Sequence, residues 1–285
     1  MTYAGVVVLF NPDEKVINNI NTYVNDLNKL YVVDNTPNKD NSYLFKNKKI
    51  EYIANKKNEG IAHALNIGAN KAIKEKYDFL LTMDQDSSFP SGNVKKLINY
   101  IENNSKYVLK EVGIISAYHL TPQNEFKVAP KVGNPLLVMT SGNFVNLKAH
   151  KKIGGFKDWM FIDCVDFDYC LNMRRHGYEI IQLFDAKLNH NLGNTEKKKL
   201  FGKTMFVSHH SPIRRYYMVR NRHYLYDMYH DDFPDYCNAE ISRTKKEWVK
   251  ILLFERKKIK KSLMMYRGYR DYKKNRKGEY NEYKK

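Results

Sequence analysis

Asp84-Gln85-Asp86 sets two carboxylates one residue apart at the end of the apolar run Phe79-Leu80-Leu81-Thr82-Met83. Carboxylate oxygens are hard ligands, so such a pair can face one divalent cation, Mg2+ or Mn2+, and through it a diphosphate. An ordinary acidic turn is the competing reading. A second acidic group, Asp163, Asp166 and Asp168, opens a stretch in which Phe167, Cys170, Leu171 and Met173 recur at helical spacing. These carboxylates suit helix caps and dipole partners. One of them, with Asp166 the choice, could instead take the proton from an attacking hydroxyl. His190 could complete a metal site with the two aspartates, although a lone histidine is more often structural. Asn58-Glu59-Gly60-Ile61-Ala62-His63-Ala64-Leu65-Asn66-Ile67-Gly68 opens a small-residue helix, whose exposed N–H groups could cradle phosphate or whose Gly60 could simply allow a turn.

These groups need a scaffold that brings distant residues together. Val6-Val7-Val8-Leu9-Phe10 is a continuous β-branched run closed by Asn11-Pro12, as expected of a strand buried on both faces. A helical pattern through Val16, Ile17, Ile20, Tyr23, Val24 and Leu27 follows, then a strand at Leu30–Val33 closed by Asp34-Asn35-Thr36-Pro37. The alternation continues with strands at 50–53 and 79–83, a helix over 60–74, a helix through Val94, Leu97, Ile98 and Ile101, and a strand at 112–116. This is the crossover grammar of a parallel α/β sheet, whose ligands gather at the carboxyl ends of the strands. After residue 117 it gives way to strands near 136–139 and 142–146, a glycine turn at Gly154-Gly155 and a helix over 166–176. The expected fold is therefore a Rossmann-like nucleotide-binding half (1–116) and a mixed half (117–200), with a helical extension (201–285).

The 285 residues suffice for a large core, and 42 % hydrophobic with 13 % aromatic residues excludes a disordered chain. Mean hydropathy is −0.65, and no apolar run approaches the ~18 residues of a spanning helix. Met1 leads directly into the first strand without a basic segment, so no secretion signal is expected. Cys164, Cys170 and Cys237 are odd in number and lack ligand spacing, which points to plain thiols in a reducing compartment. The net charge of +18 predicts an anionic partner.

Together the motifs resemble the inverting family-two glycosyltransferases of GT-A fold, and among them bacterial rhamnosyltransferases of surface polysaccharide synthesis. The residues that carry the resemblance are Val7–Pro12, Val32–Asn35, the Asn58-x-Gly60-x-Ala62-x-Ala64-x-Asn66-x-Gly68 pattern, Leu81–Ser87, Thr140-Ser141-Gly142 and Phe161–Cys170. The resemblance implies a donor pocket drawn from Asn11, Asp34, Asn58, Gly60, Asn66, Asp84, Gln85, Ser141 and Gly142. It also implies a cation on Asp86 and His190 with Asp84, and Asp166 as the base of a single inverting displacement. Phe156, Trp159, Asp163 and Asp168 fall on the acceptor side, where an aromatic ring stacks on a sugar or belongs to the core. Ser211–Asn221 and Tyr266–Asp271 also resemble the rhamnosyltransferases, with Arg215 and Arg220 read either as ligands of an acceptor diphosphate or as a solvated face. Asn172 departs from the Arg that many relatives carry there. The implied reaction moves L-rhamnose, or another hexose, from a nucleoside-diphosphate sugar to a glycan or a polyprenyl-diphosphate-linked acceptor, at the inner face of the cell membrane.

Residues 241–285 carry 17 Lys and Arg against 5 Asp and Glu, most of the chain's excess charge. Trp248, Ile251, Leu252, Ile259, Leu263 and Tyr266 recur at helical spacing among Arg256, Lys257, Lys258, Lys260 and Lys261, predicting one amphipathic basic helix. Its partners would be the catalytic domain or an anionic membrane surface, while nucleic acid lacks any accompanying motif. Two other classes would leave different marks. A sugar-nucleotide nucleotidyltransferase should show a glycine-rich, Arg- or Lys-bearing loop where Asn11-Pro12-Asp13-Glu14 stands. A noncatalytic basic binding protein would release no nucleoside diphosphate.

Overall fold

The computed structural model describes residues 1–120, 131–190, 195–200 and 203–280. It contains two compact units, Met1–Asp158 with Asp166–Asn191, and Trp159–Val165 with Leu192–Lys285. This differs from a single cut after residue 200, since the short segment Trp159–Val165 groups with the C-terminal residues.

The first unit is built on an eight-stranded sheet. In chain order it contains β1 (Tyr3–Leu9), α1 (Lys15–Asn21), β2 (Lys29–Asp34), β3 (Ile50–Ala54), α2 (Ile61–Lys74), β4 (Phe79–Asp84), α3 (Asn93–Asn103), α4 (Ser105–Glu111) and β5 (Val112–Leu120). There follow β6 (Val132–Gly133), β7 (Asn143–Asn146), α5 (Leu147–Ile153), α6 (Val165–Arg175) and β8 (Glu179–Asn189). The strand order is β3-β2-β1-β4-β7-β5-β8-β6. β1 to β4 are mutually parallel where paired, β7 runs antiparallel between β4 and β5, and β5 pairs parallel with β8. The sheet is therefore mixed in its second half, as the broken alternation predicted.

The strands are buried because both faces are covered. Val6, Val7, Leu30, Val32, Leu80 and Leu81 have no solvent exposure, which is why these strands read as continuous rather than alternating apolar runs. α2 lies close on the sheet: a Cβ at Gly68 would sit 2.4 Å from Val6 Cγ2. Registers Leu9↔Asp34 and Val8↔Asp84 align the carboxyl ends of β1, β2 and β4.

The expected strand at 136–139 does not form. The edge pairing falls on Val132–Gly133 against β8, and side chains take the following carbonyls, with Arg174 Nη2 on Pro135 O and Asn143 Nδ2 on Met139 O. Pro135, which has no N–H, favours this ending of the ladder.

The second unit contains a hairpin of β9 (Thr195–Leu200) and β10 (Lys203–Ser208), and the helices α7 (Pro212–Tyr229), α8 (Pro234–Phe254) and α9 (Lys258–Lys273). Ser211 and Pro212 start α7 as N-cap and first-turn proline. Gly268 lets α9 approach α7, since a Cβ there would lie 2.4 Å from Tyr216 O. The single basic helix expected from Trp248 to Tyr266 is interrupted. α8 ends at Phe254, Glu255 is extended, and Lys257 is left-handed at φ 57° before α9 begins. Of the apolar face expected to dock, only Ile251 is buried, whereas Trp248, Leu252, Ile259, Leu263 and Tyr266 are exposed. Among the described residues no helix is long and apolar enough to cross a membrane.

Candidate active site

Asp84, Asp86 and His190 converge at the carboxyl end of β4, each offering a ligand atom within 4.8 Å of the others. Backbone geometry accounts for the meeting of residues a hundred positions apart. Ser88 and Asn189 form an antiparallel bridge, with Ser88 N–H donating to Asn189 O at 3.1 Å and Asn189 N–H to Ser88 O at 2.9 Å. His190, next in the chain, is thereby set beside Asp86, its Nδ1 3.9 Å from Asp86 Oδ1. Ser87 Oγ lies 2.8 Å from the same Nδ1 and orients the ring. Behind it the His119 ring packs edge-on at 5.5 Å, and burial together with the neighbouring His190 lowers the pKa of His119 to about 4, so that it is neutral at pH 7. Two carboxylates and one imidazole fit a divalent cation of the Mg2+ or Mn2+ class. Asn191-Leu192-Gly193, which continues the His190 segment, lies outside the described residues.

The expected donor residues divide into those that face the strand ends and those that build them. Asn11 is exposed just past β1, with φ 46°, a left-handed conformation that asparagine tolerates, and its N–H donates to Thr36 Oγ1 at 2.8 Å. Gly60 caps α2 at φ 86° and ψ 162°, backbone angles closed to other residues, and its N–H donates to Asn58 Oδ1 at 3.0 Å. Gln85 pairs its amide with both backbone groups of Phe10, at 2.8 and 3.3 Å, and so ties the exit of β4 to that of β1. Ser141 Oγ accepts from Asp84 N–H at 3.1 Å, and Gly142, at φ 79°, bonds to Thr82 O and Ala117 N. Ser141 and Gly142 hold Asp84 in place.

Two further donor candidates make bonds that brace the fold. Asp34 is buried, and its carboxylate accepts from Thr36 N–H, Asn41 Nδ2 and the Tyr52 hydroxyl at 2.8, 2.7 and 2.9 Å, which fixes the loop after β2. Asn66 clamps the backbone of Phe156, donating to its O at 2.7 Å and accepting from its N–H at 3.0 Å.

Asp166 sits in the first turn of α6, half-buried, and lines a small crevice shared with Thr82 of β4, Thr140, Asn143, Phe156 and Tyr169. That neighbourhood brings it to the region of the sheet that carries Asp84. The residues expected on the acceptor side each have partners within the fold. Asp168 is fully buried, with both carboxylate oxygens on Lys157 Nζ at 2.8 and 3.1 Å. Phe156 is core, stacked on Tyr169 at 3.9 Å. In the second unit, Asp163 pairs with the Arg214 guanidinium, and Trp159 packs against Tyr224 with Lys277 Nζ 4.9 Å over its ring. Arg215 and Arg220 do not form a solvated face. Both are fully buried, Arg215 on Glu255, Glu247 and Ser208 O, and Arg220 on the carbonyls of Trp159, Met160 and Gly278. All three cysteines are buried thiols, and burial pushes Cys170 up to about 12. Ser87 and His119 escaped the sequence reading, although Ser87 directly follows the aspartate pair and His119 stands near the end of an apolar strand.

Residues 14–135 match the model of the family described as Glycosyl transferase family 2. The chain is 29 % identical over 242 residues to a dTDP-rhamnosyl transferase, RfbF, of Shigella flexneri, covering 76 % of this chain and 77 % of that protein. Among solved structures it is similar to residues 1–349 of S. aureus TarS in complex with UDP-GlcNAc, with a TM-score of 0.60 at 11 % identity over 95 % of this chain and 80 % of that one. It is also similar to GalNAc-T7 with UDP, GalNAc and Mn2+, with a TM-score of 0.58 at 14 % identity over 86 % of this chain, which spans about half (51 %) of that protein. An α/β sheet with an Asp-Asp-His cluster at its strand ends, a match of residues 14–135 to the Glycosyl transferase family 2 model and a similarity to a dTDP-rhamnosyl transferase along three quarters of the chain together support a glycosyltransferase, on the fold of the GT-A structural neighbours.

Proposed function

We propose that the protein is a metal-dependent inverting rhamnosyltransferase that uses a dTDP-rhamnose donor and extends a growing, lipid-linked surface glycan at the cytoplasmic face of the membrane. The observation that carries the donor is the similarity to a dTDP-rhamnosyl transferase over most of both chains. Asp84, Asp86 and His190 would hold the divalent cation, which when bound offsets the charge of the departing nucleoside diphosphate. Asn11, Asn58 and Gly60 surround the donor, with the N-terminus of α2 directed at its phosphates. Asp166 takes the proton of the acceptor hydroxyl as that oxygen attacks the anomeric carbon. Direct displacement inverts the anomeric configuration.

The test is a donor panel with Mn2+ or Mg2+ and a membrane-extracted acceptor, read as nucleoside diphosphate release and as product linkage by mass spectrometry and NMR. Release from dTDP-rhamnose above all other donors is expected. A second reading, a UDP-N-acetylhexosamine donor, draws on the structural neighbours, one in complex with UDP-GlcNAc and one with UDP, GalNAc and Mn2+. Preference for a UDP-sugar would replace the first reading with the second.

A further inference from the structure

We propose that the elbow between α8 and α9 is a surface that inserts into an anionic lipid bilayer. The proposal deepens the function proposed above and rests on it for placing the enzyme beside a membrane-borne acceptor. On α8, Trp248, Val249, Leu252 and Leu253 follow at positions i, i+1, i+4 and i+5, one face of a helix. On α9, Ile259, Leu263 and Tyr266 follow at i, i+4 and i+7, again one stripe. Trp248 Nε1 donates to Ser262 Oγ at 3.0 Å, which joins the two stripes. Ile259 is 87 % exposed and the other six lie between 41 % and 63 %. Seven large apolar side chains held out in one place form the kind of patch that marks an interaction surface rather than scattered exposure.

The charge around the patch selects its occupant. From Lys245 to Arg270 the acidic residues are Glu247 and Glu255. Both turn inward, Glu247 onto Arg222 and Arg215, and Glu255 onto Arg215 and Lys261. Lys245, Lys246, Arg256, Lys257, Lys258 and Lys260 are exposed. The outward charge of the elbow is therefore positive throughout, and the buried Glu255 pins its tip from within. An apolar strip flanked by lysines fits the interface of an anionic leaflet, where acyl chains take the strip and headgroups take the cations. A second copy fits poorly, because a two-fold contact would oppose two positive rims. Nucleic acid would satisfy the cations but leave the aliphatic side chains in water.

The chain has two tryptophans, so a full-length Trp159→Phe protein leaves Trp248 as the only indole reporter. Its emission is followed on adding phosphatidylcholine vesicles with and without phosphatidylglycerol. A blue shift and saturable binding with phosphatidylglycerol alone, weakened by salt, are expected. Lys257→Gln with Lys258→Gln and Lys260→Gln should lower vesicle affinity roughly 100-fold, at a few-fold per cation. Leu252→Ser with Leu253→Ser and Ile259→Ser should abolish the blue shift, with unchanged thermal melts because these residues are exposed. No shift with anionic vesicles, equal binding to neutral ones, or a dimer in sedimentation velocity that Ile259→Glu dissolves would each overturn the proposal. Sugar transfer to a soluble acceptor is measured in parallel. Transfer without vesicle binding overturns the surface alone, and vesicle binding without transfer from any donor overturns the function alone.

Discussion

Replacing Asp86 by asparagine should change sign in its effect on stability when a cation is added. The ligand atoms of Asp84 and Asp86 lie within 4.8 Å, where two unit charges repel by about 3 kcal/mol at an effective dielectric of ~20 and about 1 kcal/mol in water. Asp86 has a side chain 49 % exposed, so screening sets the repulsion near the lower figure. Without metal, Asp86→Asn keeps the shape of the side chain, removes one of the two charges and should raise the melting temperature of the first unit by about 2–4 °C. With Mn2+ and a nucleoside diphosphate at ~100 times their dissociation constant, the wild type gains about 2.7 kcal/mol by mass action. The variant, with one anionic ligand fewer, gains much less, and the order of stabilities reverses. Differential scanning calorimetry of both proteins in EDTA and in Mn2+ reads this directly. A variant less stable than the wild type in EDTA, or equally stabilised by Mn2+, would refute the assignment of the carboxylate pair to a shared cation.

Three further outcomes follow from other residues. Asp166→Asn should lower turnover by about 10²–10⁴-fold while changing donor affinity little, as separate turnover and equilibrium-binding measurements will show. Glu255→Ala strips Arg215 and Lys261 of a buried partner and should cost about 3–5 kcal/mol in urea unfolding of the second unit, more than an exposed alanine substitution on the same helices. Burial holds the pKa of His150 at about 4. Its unfolded form, near 6.5, therefore takes up a proton first as the pH falls. Stability from this group is complete above pH 6.5 and is lost toward pH 4, by about 2 kcal/mol between pH 7 and pH 5. His150→Gln should remove that slope from urea midpoints measured across the window.

The parts of the fold fixed by local pattern were legible. Val6–Phe10, Leu30–Val33 and Phe79–Met83 declare buried parallel strands by composition alone, and strand ends in such sheets collect ligands, which picked out Asp84 and Asp86. Polar residues at those ends were harder to place, because presenting a ligand and bracing a loop call for the same chemistry. Asp34 and Asn66, expected at the donor, also brace the β2 loop and Phe156. The burial of Arg215 and Arg220 was illegible for a different reason. A helix with arginines at several positions reads as solvated, and only the carboxylates and carbonyls contributed by distant segments make their burial affordable. The break at Glu255–Lys257 left no glycine or proline to betray it. Its cause is tertiary, the capture of Glu255 by Arg215 across forty residues of chain.

The segment Trp159–Val165, immediately ahead of Asp166, has a consequence for the growing polypeptide on the ribosome. Phe161, Asp163 and Cys164 all adopt left-handed backbone angles, at φ 67°, 62° and 65°, a conformation that costs a non-glycine residue about 1 kcal/mol or more. Asn221 Nδ2 secures the carbonyls of Met160, Ile162 and Asp163 at 3.0, 2.9 and 2.8 Å, and Gly278 N–H closes on Trp159 O at 2.7 Å. Those restraints are translated long after the segment they hold. A nascent chain can complete β1 to β8 while this stretch still lacks its fastenings, so the residues leading into the proposed base settle only as synthesis nears its end. The backbone of Trp159–Val165 is thus fastened by residues 56 or more positions further along the chain, Asn221 of α7 and Gly278 beyond α9.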